Sequence, residues 1–164
     1  TCVELVNNAV EAGNKVLLFS QFTSMLDIIR RRLDEEGTGY YILTGSTSKE
    51  KRNELVKSFN GDGPPVFLIS LKAGGTGLNL TAASIVIHFD PWRNQAAQNQ
   101  ATDRTHRIGQ ENIVTVIKMV VKNTIEERIL ALQEKKARLA ENVMEGQAVA
   151  DHRISREELL ELIK

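Results

Sequence analysis

The chain has 164 residues, enough for one domain of ordinary size with a buried core. Its 21 Lys and Arg residues balance its 21 Asp and Glu residues, which excludes a protein that holds polyanions over its whole surface and leaves only a local nucleic-acid patch. The one cysteine, Cys2, excludes a disulfide framework and a cysteine zinc site, and no apolar stretch approaches the roughly 20 residues that span a bilayer.

The first residues, TCVELVNNAV, lack the basic and then apolar order of a signal peptide. They begin without a methionine and inside a helical pattern. We therefore expect an excised piece of a longer protein, in an intracellular and reducing setting, with no metal site and no membrane contact.

Five short aliphatic or β-branched runs alternate with longer amphipathic segments along the chain. The runs predict strands at residues 15–20, 40–43, 65–70, 84–89 and 114–120. Such alternation is typical of an α/β protein with a mostly parallel sheet and crossover helices. Because the runs are apolar almost throughout, helices are expected on both faces of the sheet.

The first two crossover segments carry clear helix signals. The segment 22–37 ends at Gly37, as at a C-terminal cap, and places these apolar residues on one stripe: Phe22, Met25, Leu26, Ile29 and Leu33. The segment 47–63 opens with Thr47 and Glu50 at capping-box spacing. Its buried residues are predicted to be Leu55, Val56 and Phe59.

Past the last strand, the sequence predicts a helical extension. A long charged helix over 124–143 begins with a capping box from Thr124 to Glu127. The segment 144–153 has no period and is interpreted as a linker to a short helix over 155–164.

The loops at the carboxyl ends of parallel strands line the binding crevice of such sheets, so function is sought there. The loop SLKAGGTGLNL, 70–80, is rich in glycine, which lets a backbone approach a phosphate closely. It matches neither common phosphate-loop pattern, and turn geometry alone also explains its glycines. The loop GSTS, 45–48, precedes a helix and suits an anion, with Arg52 one turn inside, although Thr47 and Ser48 also suit an N-cap.

A third candidate is the segment QNQATDRTHRIGQ, 98–110. In a helix, Gln100, Arg104 and Arg107 lie at spacings of four and three and project from nearly one face. Such a pair of guanidinium groups can neutralise charge on a transferred phosphoryl group, as an arginine finger does. The alternative is an ordinary ion pair between Asp103 and Arg107, and His106 is interpreted as a packing residue.

The order of these motifs resembles that of the C-terminal motor lobe of Swi/Snf-type chromatin remodellers and DNA translocases, in helicase superfamily two. The resemblance covers about residues 13–144 and rests on KVLLFSQFTSMLD, LTGSTSKEKR, LISLKAGGTGLNLTAAS, VIHFDPWRN, QATDRTHRIGQ and TIEERILALQEKK. It implies a RecA-like lobe over 1–144, followed by a linker and a short helix over 145–164.

The resemblance also implies which residues would be functional. Arg104 and Arg107 match the paired arginines that reach the γ-phosphate, and Gln100, Gly77 and Asn79 match positions near the nucleotide. The positions that match contacts to DNA phosphates are Gln21, Gly45, Ser46, Thr47, Arg52, Ser70, Leu71, Lys72 and Ala73. Phosphate contacts carry no base information, which suits a motor that moves over any sequence.

By the same resemblance, the full-length protein would be a DNA-dependent ATPase that translocates on double-stranded DNA. ATP and Mg²⁺ would be held mainly by an N-terminal RecA-like lobe, so this piece alone is expected to be inactive and to bind no cofactor tightly. A DNA-bound protein is a further expected partner. The short end and the lack of a basic run favour a prokaryotic cytoplasmic protein; a eukaryotic source would imply the nucleus.

The chain departs from the family pattern in one motif. Where Asp-Pro-Trp-Trp-Asn-Pro is common, it has DPWRNQ, with Arg93 and Gln95 at the positions of the second Trp and the second Pro. The resemblance therefore assigns no role to Trp92 or Arg93, and a Trp in a loop is often a plug over the core edge.

Two other classes of function remain open from the sequence. A Rossmann-type nucleotide-binding enzyme would use the glycine stretch and an acidic ribose ligand, for which Asp90 is placed too early and precedes Pro91. An interaction module would leave all the arginines in solvent.

Overall fold

A computed structural model describes residues 2–74, 78–90 and 114–121, together with 124, 127 and 131. The chain divides into two compact units, Thr1–Met119 and Val120–Lys164. All the helices and strands given below lie in the first unit. The two predicted helices near the C-terminus and the linker between them fall almost wholly outside the described residues.

The first unit alternates helices and strands as the sequence predicts. The helices are α1 (Cys2–Glu11), α2 (Thr23–Glu35), α3 (Lys49–Asn60) and the single turn α4 (Leu71–Gly74). The strands are β1 (Val16–Ser20), β2 (Tyr40–Leu43), β3 (Val66–Ser70), β4 (Ile85–His88) and β5 (Thr115–Lys118). All five predicted strands are confirmed, with ends that differ from the predictions by two residues at most.

The five strands form one parallel sheet in the order β2-β3-β1-β4-β5. The central strand β1 pairs with β3 from Val16 opposite Val66 to Ser20 opposite Ser70, and with β4 from Val16 opposite Ile85. Because β1, β2 and β3 each lead into a helix before the next strand, the sheet has the crossover connections that parallel pairing requires.

Successive side chains of a strand pack alternately into two separate cores, one on each face of the sheet. Leu17 and Phe19 of β1 pack in the core that includes Leu55 and Phe59 of α3. Val16 and Leu18 pack in the other core, whose buried helical members are Cys2, Val6, Ala9, Leu26, Ile29 and Leu33 of α1 and α2. Helices therefore cover both faces, as the apolar strands predict, and both β1 and β3 are buried along their whole length.

The predicted end of α2 is confirmed in detail. Gly37 has a φ of +70°, and its N–H donates to the Asp34 carbonyl at 3.2 Å while Thr38 N–H donates to the Leu33 carbonyl at 2.9 Å. These two bonds form a Schellman motif, which glycine favours because it has no Cβ to clash at positive φ.

Two expectations for the helix starts are wrong. Phe22 does not share the buried stripe of α2; it is the residue before the helix and is 54% exposed. Helix α3 is capped by Ser48, whose Oγ accepts from Lys51 N–H at 3.2 Å, and not by Thr47. The Thr47 hydroxyl instead accepts from Thr44 N–H at 3.1 Å, so it stabilises the turn before the helix.

The amino edge of the sheet is tied to the end of α3 by side chains. Lys15, just before β1, donates its Nζ to the Phe59 carbonyl at 2.6 Å and to the Gly61 carbonyl, and lies 5.3 Å from the Phe59 ring centroid. A cation at this place compensates the last carbonyls of the helix and its negative dipole end. The next turn is closed by Gly63, whose N–H donates to the Ser58 carbonyl at 3.0 Å.

Candidate functional site at the carboxyl edge of the sheet

Four adjacent strands end together at one edge of the sheet. Leu43 of β2 lies opposite Ile69 of β3, Ser20 of β1 lies opposite Ser70, and Phe19 lies opposite His88 of β4. Since all the strands are parallel, the loops that follow them leave the sheet on the same side. We call this side the carboxyl edge. All the predicted DNA-contacting residues lie at the end of β1, β2 or β3 or in the segment that follows, so the structure brings them to neighbouring places along this edge.

The loop after β2 is a tight turn with its hydroxyls hydrogen-bonded to one another. Thr47 N–H donates to the Thr44 carbonyl at 3.1 Å, and the hydroxyls of Thr44 and Ser46 are 2.9 Å apart. Gly45 and Ser46 are exposed at its tip. A Cβ added to Gly45 would meet nothing within 4 Å, and its φ lies outside the positive range. Packing therefore does not require glycine here, which leaves room for a ligand to approach the backbone.

The loop leads directly into α3, whose first N–H groups point back toward the carboxyl edge. Ser48 supplies the N-cap, and Arg52 N–H donates to the Ser48 carbonyl at 2.9 Å in the first turn. The Arg52 side chain is half-buried, whereas Lys51 is exposed and pairs with Glu54 at 3.0 Å. A helix start combined with a nearby guanidinium group suits an anion.

The loop after β3 begins as the short helix α4, and its residues divide into supporting and exposed ones. Ser70 and Ala73 are each 3% exposed, and the Ser70 hydroxyl accepts from Ala73 N–H at 3.3 Å. Leu71 packs against the core on the α3 side of the sheet. Lys72 alone among these four residues is exposed. The Lys72 ammonium is thus the side chain of this stretch that is available to a phosphate.

The loop after β1 is held to the end of β4 by a carboxylate. Asp90, which is 9% exposed, accepts from the Ser20 hydroxyl at 2.5 Å and from Gln21 N–H at 2.8 Å, both on Oδ2. The Ser20 hydroxyl also accepts from Phe22 N–H at 3.1 Å. The backbone of Gln21 is therefore fixed while its side chain remains half-buried at the edge.

Sequence reasoning missed this pairing. It considered Asp90 only as a ribose ligand of a Rossmann-type enzyme and passed over Ser20 as the end of a strand. The available signal was a polar residue at the end of each of two apolar runs, KVLLFS and SIVIHFD. Because the Asp90 carboxylate is buried against β1, it is engaged within the fold, which is a further observation against the Rossmann interpretation.

Asn79 lies away from the other predicted contacts. Its carbonyl accepts from the Asn60 side-chain amide at 2.8 Å, and the Asn60 side-chain oxygen accepts from Ala82 N–H at 3.2 Å. Asn60 ends α3, on the side where the chain turns back into the amino end of β3. The flanking Leu78 and Leu80 are buried and Asn79 itself is exposed, so its side-chain amide points away from the core.

Below the carboxyl edge, His88 is 1% exposed and stacks on Phe19, with ring centroids 5.5 Å apart. Burial, and to a smaller extent the nearby Lys118 ammonium, lowers the pKa of His88 to about 4. The imidazole is accordingly neutral at pH 7 and belongs to the core, where it cannot serve as a proton donor at neutral pH.

Several predicted residues lie outside the described part of the chain: Gly77, Trp92, Arg93, Gln100, Arg104, His106 and Arg107. In the described ranges, no group of three or more His, Cys, Asp or Glu residues could hold a metal ion. A search of the same ranges finds no helix with the length and apolar character that crossing a membrane requires.

Comparison with known proteins finds one family model and several relatives that are named as ATP-dependent helicases. Residues 1–109 match the model of the helicase conserved C-terminal domain. The chain is 45% identical over 141 residues, 85% of its length, to the putative ATP-dependent helicase/translocase YwqA of Bacillus subtilis. It is 44% identical over 144 residues, 86% of its length, to a putative SWI/SNF-related matrix-associated actin-dependent regulator of chromatin from Arabidopsis thaliana.

A solved structure agrees with these sequence matches. The C-terminal part of the Fun30 ATPase domain superposes with a TM-score of 0.75 and 39% identity, over 80% of this chain and 43% of that one. The RecA-like arrangement expected from the sequence is thereby confirmed. The chain spans only 15% of the Bacillus relative and 16% of the Arabidopsis relative.

Proposed function

This chain belongs to the helicase conserved C-terminal domain family, in its SWI/SNF-type branch, and from that premise we propose that it is the second motor lobe of an ATP-driven translocase on double-stranded DNA. The lobe would extend to about residue 144, with a linker and a short helix over 145–164. The observation that carries the proposal is the carboxyl edge, where candidate phosphate contacts from three separate loops lie on adjacent strands.

The proposed DNA track follows the strand order β2-β3-β1. The exposed turn at Gly45 and Ser46 and the start of α3 with Arg52 would bind phosphates on the β2 side. Lys72 would bind at the centre, where Ser70, Leu71 and Ala73 shape the backbone. Gln21 would bind beyond β1. Cationic side chains and backbone N–H groups recognise phosphates without reading bases, so binding should weaken steeply with added salt.

The proposed nucleotide site is separate from this track. Asn79 has its carbonyl bound to Asn60 and its side chain exposed, so the side-chain amide is available to ATP. Gly77 and Gln100 would complete the contacts from this chain, and an N-terminal motor lobe would hold most of the ATP and the Mg²⁺. Closure of the two lobes would bring Arg104 and Arg107 onto the γ-phosphate, where their charge stabilises the transition state. By itself the chain would then neither bind ATP tightly nor hydrolyse it.

The test is made in the full-length protein with both motor lobes. We expect Arg107→Ala, and separately Arg104→Ala, to lower DNA-stimulated ATP turnover by about 10³-fold or more, the range known for lost arginine fingers, with ATP binding retained. Arg31→Ala is the matched control, because Arg31 is an exposed arginine of α2. Turnover unchanged in both finger variants would refute the finger role and favour an interaction module.

A further inference from the structure

The junction between β1 and β4 contains a buried carboxylate that packing alone does not require. Asp90 lies two residues beyond the end of β4, and its Oδ2 accepts from both the Ser20 hydroxyl and the Gln21 N–H. Taking a carboxylate out of water is costly, so an apolar residue is often equally stable at a buried position. One use of a buried charge is to hold neighbouring groups in a defined geometry.

The groups held by Asp90 all belong to the loop that starts α2. Helix α2 has Phe22 at its N-cap position, with no side-chain cap. The Ser20 hydroxyl takes over part of that role, since it accepts from Phe22 N–H at 3.1 Å while it donates to Asp90 at 2.5 Å. The carboxylate also lies near the positive dipole end of the helix. One negative charge therefore orders three consecutive residues, Ser20, Gln21 and Phe22.

Gln21 is the middle residue of this ordered group and a proposed phosphate contact. Its N–H is engaged by Asp90 at 2.8 Å, so the direction of its side chain depends on that bond. The loops after β2 and β3 are ordered by their own hydroxyls, from Thr47 and Ser70. The loop after β1 also has a local hydroxyl bond, from Ser20 to Phe22, and is in addition held by Asp90 from the segment that follows β4.

We propose that Asp90, through Ser20, is a positioning residue for DNA engagement: it holds Gln21 in register with the phosphate contacts on β2 and β3. This inference rests on the proposed function. The two bonds to the carboxylate are charge-assisted and therefore about twice as strong as neutral ones. Asp90→Asn keeps the shape of the side chain and removes that charge, and Ser20→Ala removes the hydroxyl that links the carboxylate to Phe22.

The experiment measures ATP turnover of the full-length protein as a function of DNA concentration. In Asp90→Asn and in Ser20→Ala, we expect the half-saturating concentration of duplex DNA to rise about tenfold, equivalent to about 1.4 kcal/mol. The KM for ATP at saturating DNA should stay within about twofold, because the hydrogen bonds of Asp90 within the described residues go to Ser20 and Gln21, on the proposed DNA side. The double variant should need no more DNA for half-saturation than the more strongly impaired single variant, because both changes break the same cluster of hydrogen bonds.

A control variant separates positioning from general stability. Thr38→Val removes a side-chain hydrogen bond of 2.9 Å, from Thr38 to Asn7, just before the amino end of β2. It should lower the thermal midpoint and leave the DNA dependence unchanged. As a second measurement, hydrogen exchange at the Gln21 amide without DNA should accelerate in Asp90→Asn while the β1 amides stay protected.

The outcomes are distinguishable. If the wild type is stimulated by DNA but both variants behave as Thr38→Val does, or if the Gln21 amide exchanges at the wild-type rate, the positioning role is overturned. If DNA does not stimulate the wild type at all, the proposed function is overturned, and the positioning role with it.

Discussion

Each edge of the parallel sheet has a lysine and a glycine, and the two edges use these residues for different purposes. At the amino edge, the Lys15 ammonium is committed to the carbonyls that end α3, and Gly63 is enclosed by Ser58 and Tyr41. At the carboxyl edge, Lys72 is exposed and Gly45 has open space around it. A lysine or a glycine therefore does not by itself indicate a site. The difference lies in whether the fold already uses the group.

This contrast bears on why the proposed phosphate contacts of the DNA track lie at one edge. The amino edge must return the chain from each helix into the next strand, and it does so with short, hydrogen-bonded turns. The loops at the carboxyl edge precede helices, whose first N–H groups have no partner within the helix. Side chains of the fold take some of these groups, as Ser48 does for Lys51 N–H and Ser70 for Ala73 N–H. The exposed turn at Gly45 and the Lys72 ammonium remain open to an anion, and the three loops are adjacent.

The largest expected effect is a loss of folding stability at acidic pH, and it is caused by His88 at the end of β4. His88 has a pKa lowered to about 4 by burial, against about 6.5 in an unfolded chain. Between these values the unfolded state binds the proton and the folded state does not, so stability present above pH 6.5 falls as the pH drops toward 4. The loss amounts to about 3 kcal/mol by pH 4.

The measurement is urea unfolding of this chain between pH 8 and pH 4, compared with His88→Leu. The variant should lose less stability over the window from 6.5 to 4, because it has no imidazole to protonate. Parallel pH profiles for the two proteins would show that His88 contributes nothing to the pH dependence.

The next effect concerns the amino edge. A Cβ at Gly63 would lie 2.6 Å from the Ser58 carbonyl oxygen and 2.7 Å from the Tyr41 hydroxyl, so Gly63→Ala must displace backbone. We expect it to lower the free energy of unfolding by about 2 kcal/mol. Gly39→Ala is the matched control, because its Cβ would sit at an ordinary 3.5 Å from Pro64. Equal denaturation midpoints for the two variants would contradict the enclosure of Gly63.

The smallest effect on stability, and the sharpest test of the contrast, is Gly45→Ala at the carboxyl edge. Its Cβ meets nothing within 4 Å, so the free energy of unfolding should change by less than about 0.5 kcal/mol. The half-saturating DNA concentration of the full-length protein should nevertheless rise several-fold, because a phosphate would meet the new methyl group. With Gly39→Ala as the control, an unchanged DNA dependence would remove Gly45 from the proposed track.

The sheet and its helices could be predicted from the sequence because burial and period agree at each strand. The runs at β1 and β3 are apolar throughout, and the structure buries them on both faces. The start of α3 was predicted one residue early, since Thr47 and Ser48 are both good caps and only the turn geometry selects between them. Phe22 was misplaced because helical period says nothing about where the helix begins.

Only part of the candidate site could be predicted from the sequence. Loop motifs predicted which segments meet at the carboxyl edge, because strand ends converge in any parallel sheet. The contact between Ser20 and Asp90 spans 70 residues of sequence and depends on β1 and β4 being neighbours, which no local pattern encodes. The roles of Arg104 and Arg107 stay predictions.

The strand order also dictates how this lobe can assemble during synthesis. β1 and β2 emerge first, but they are not neighbours; each pairs with β3, which is complete only at Ser70. Until the ribosome has released β3, the two earlier strands have no partner in the sheet, and their apolar faces depend on α1 and α2 for cover. Nearly half of the chain is therefore synthesised before the first strand pair of the sheet can form.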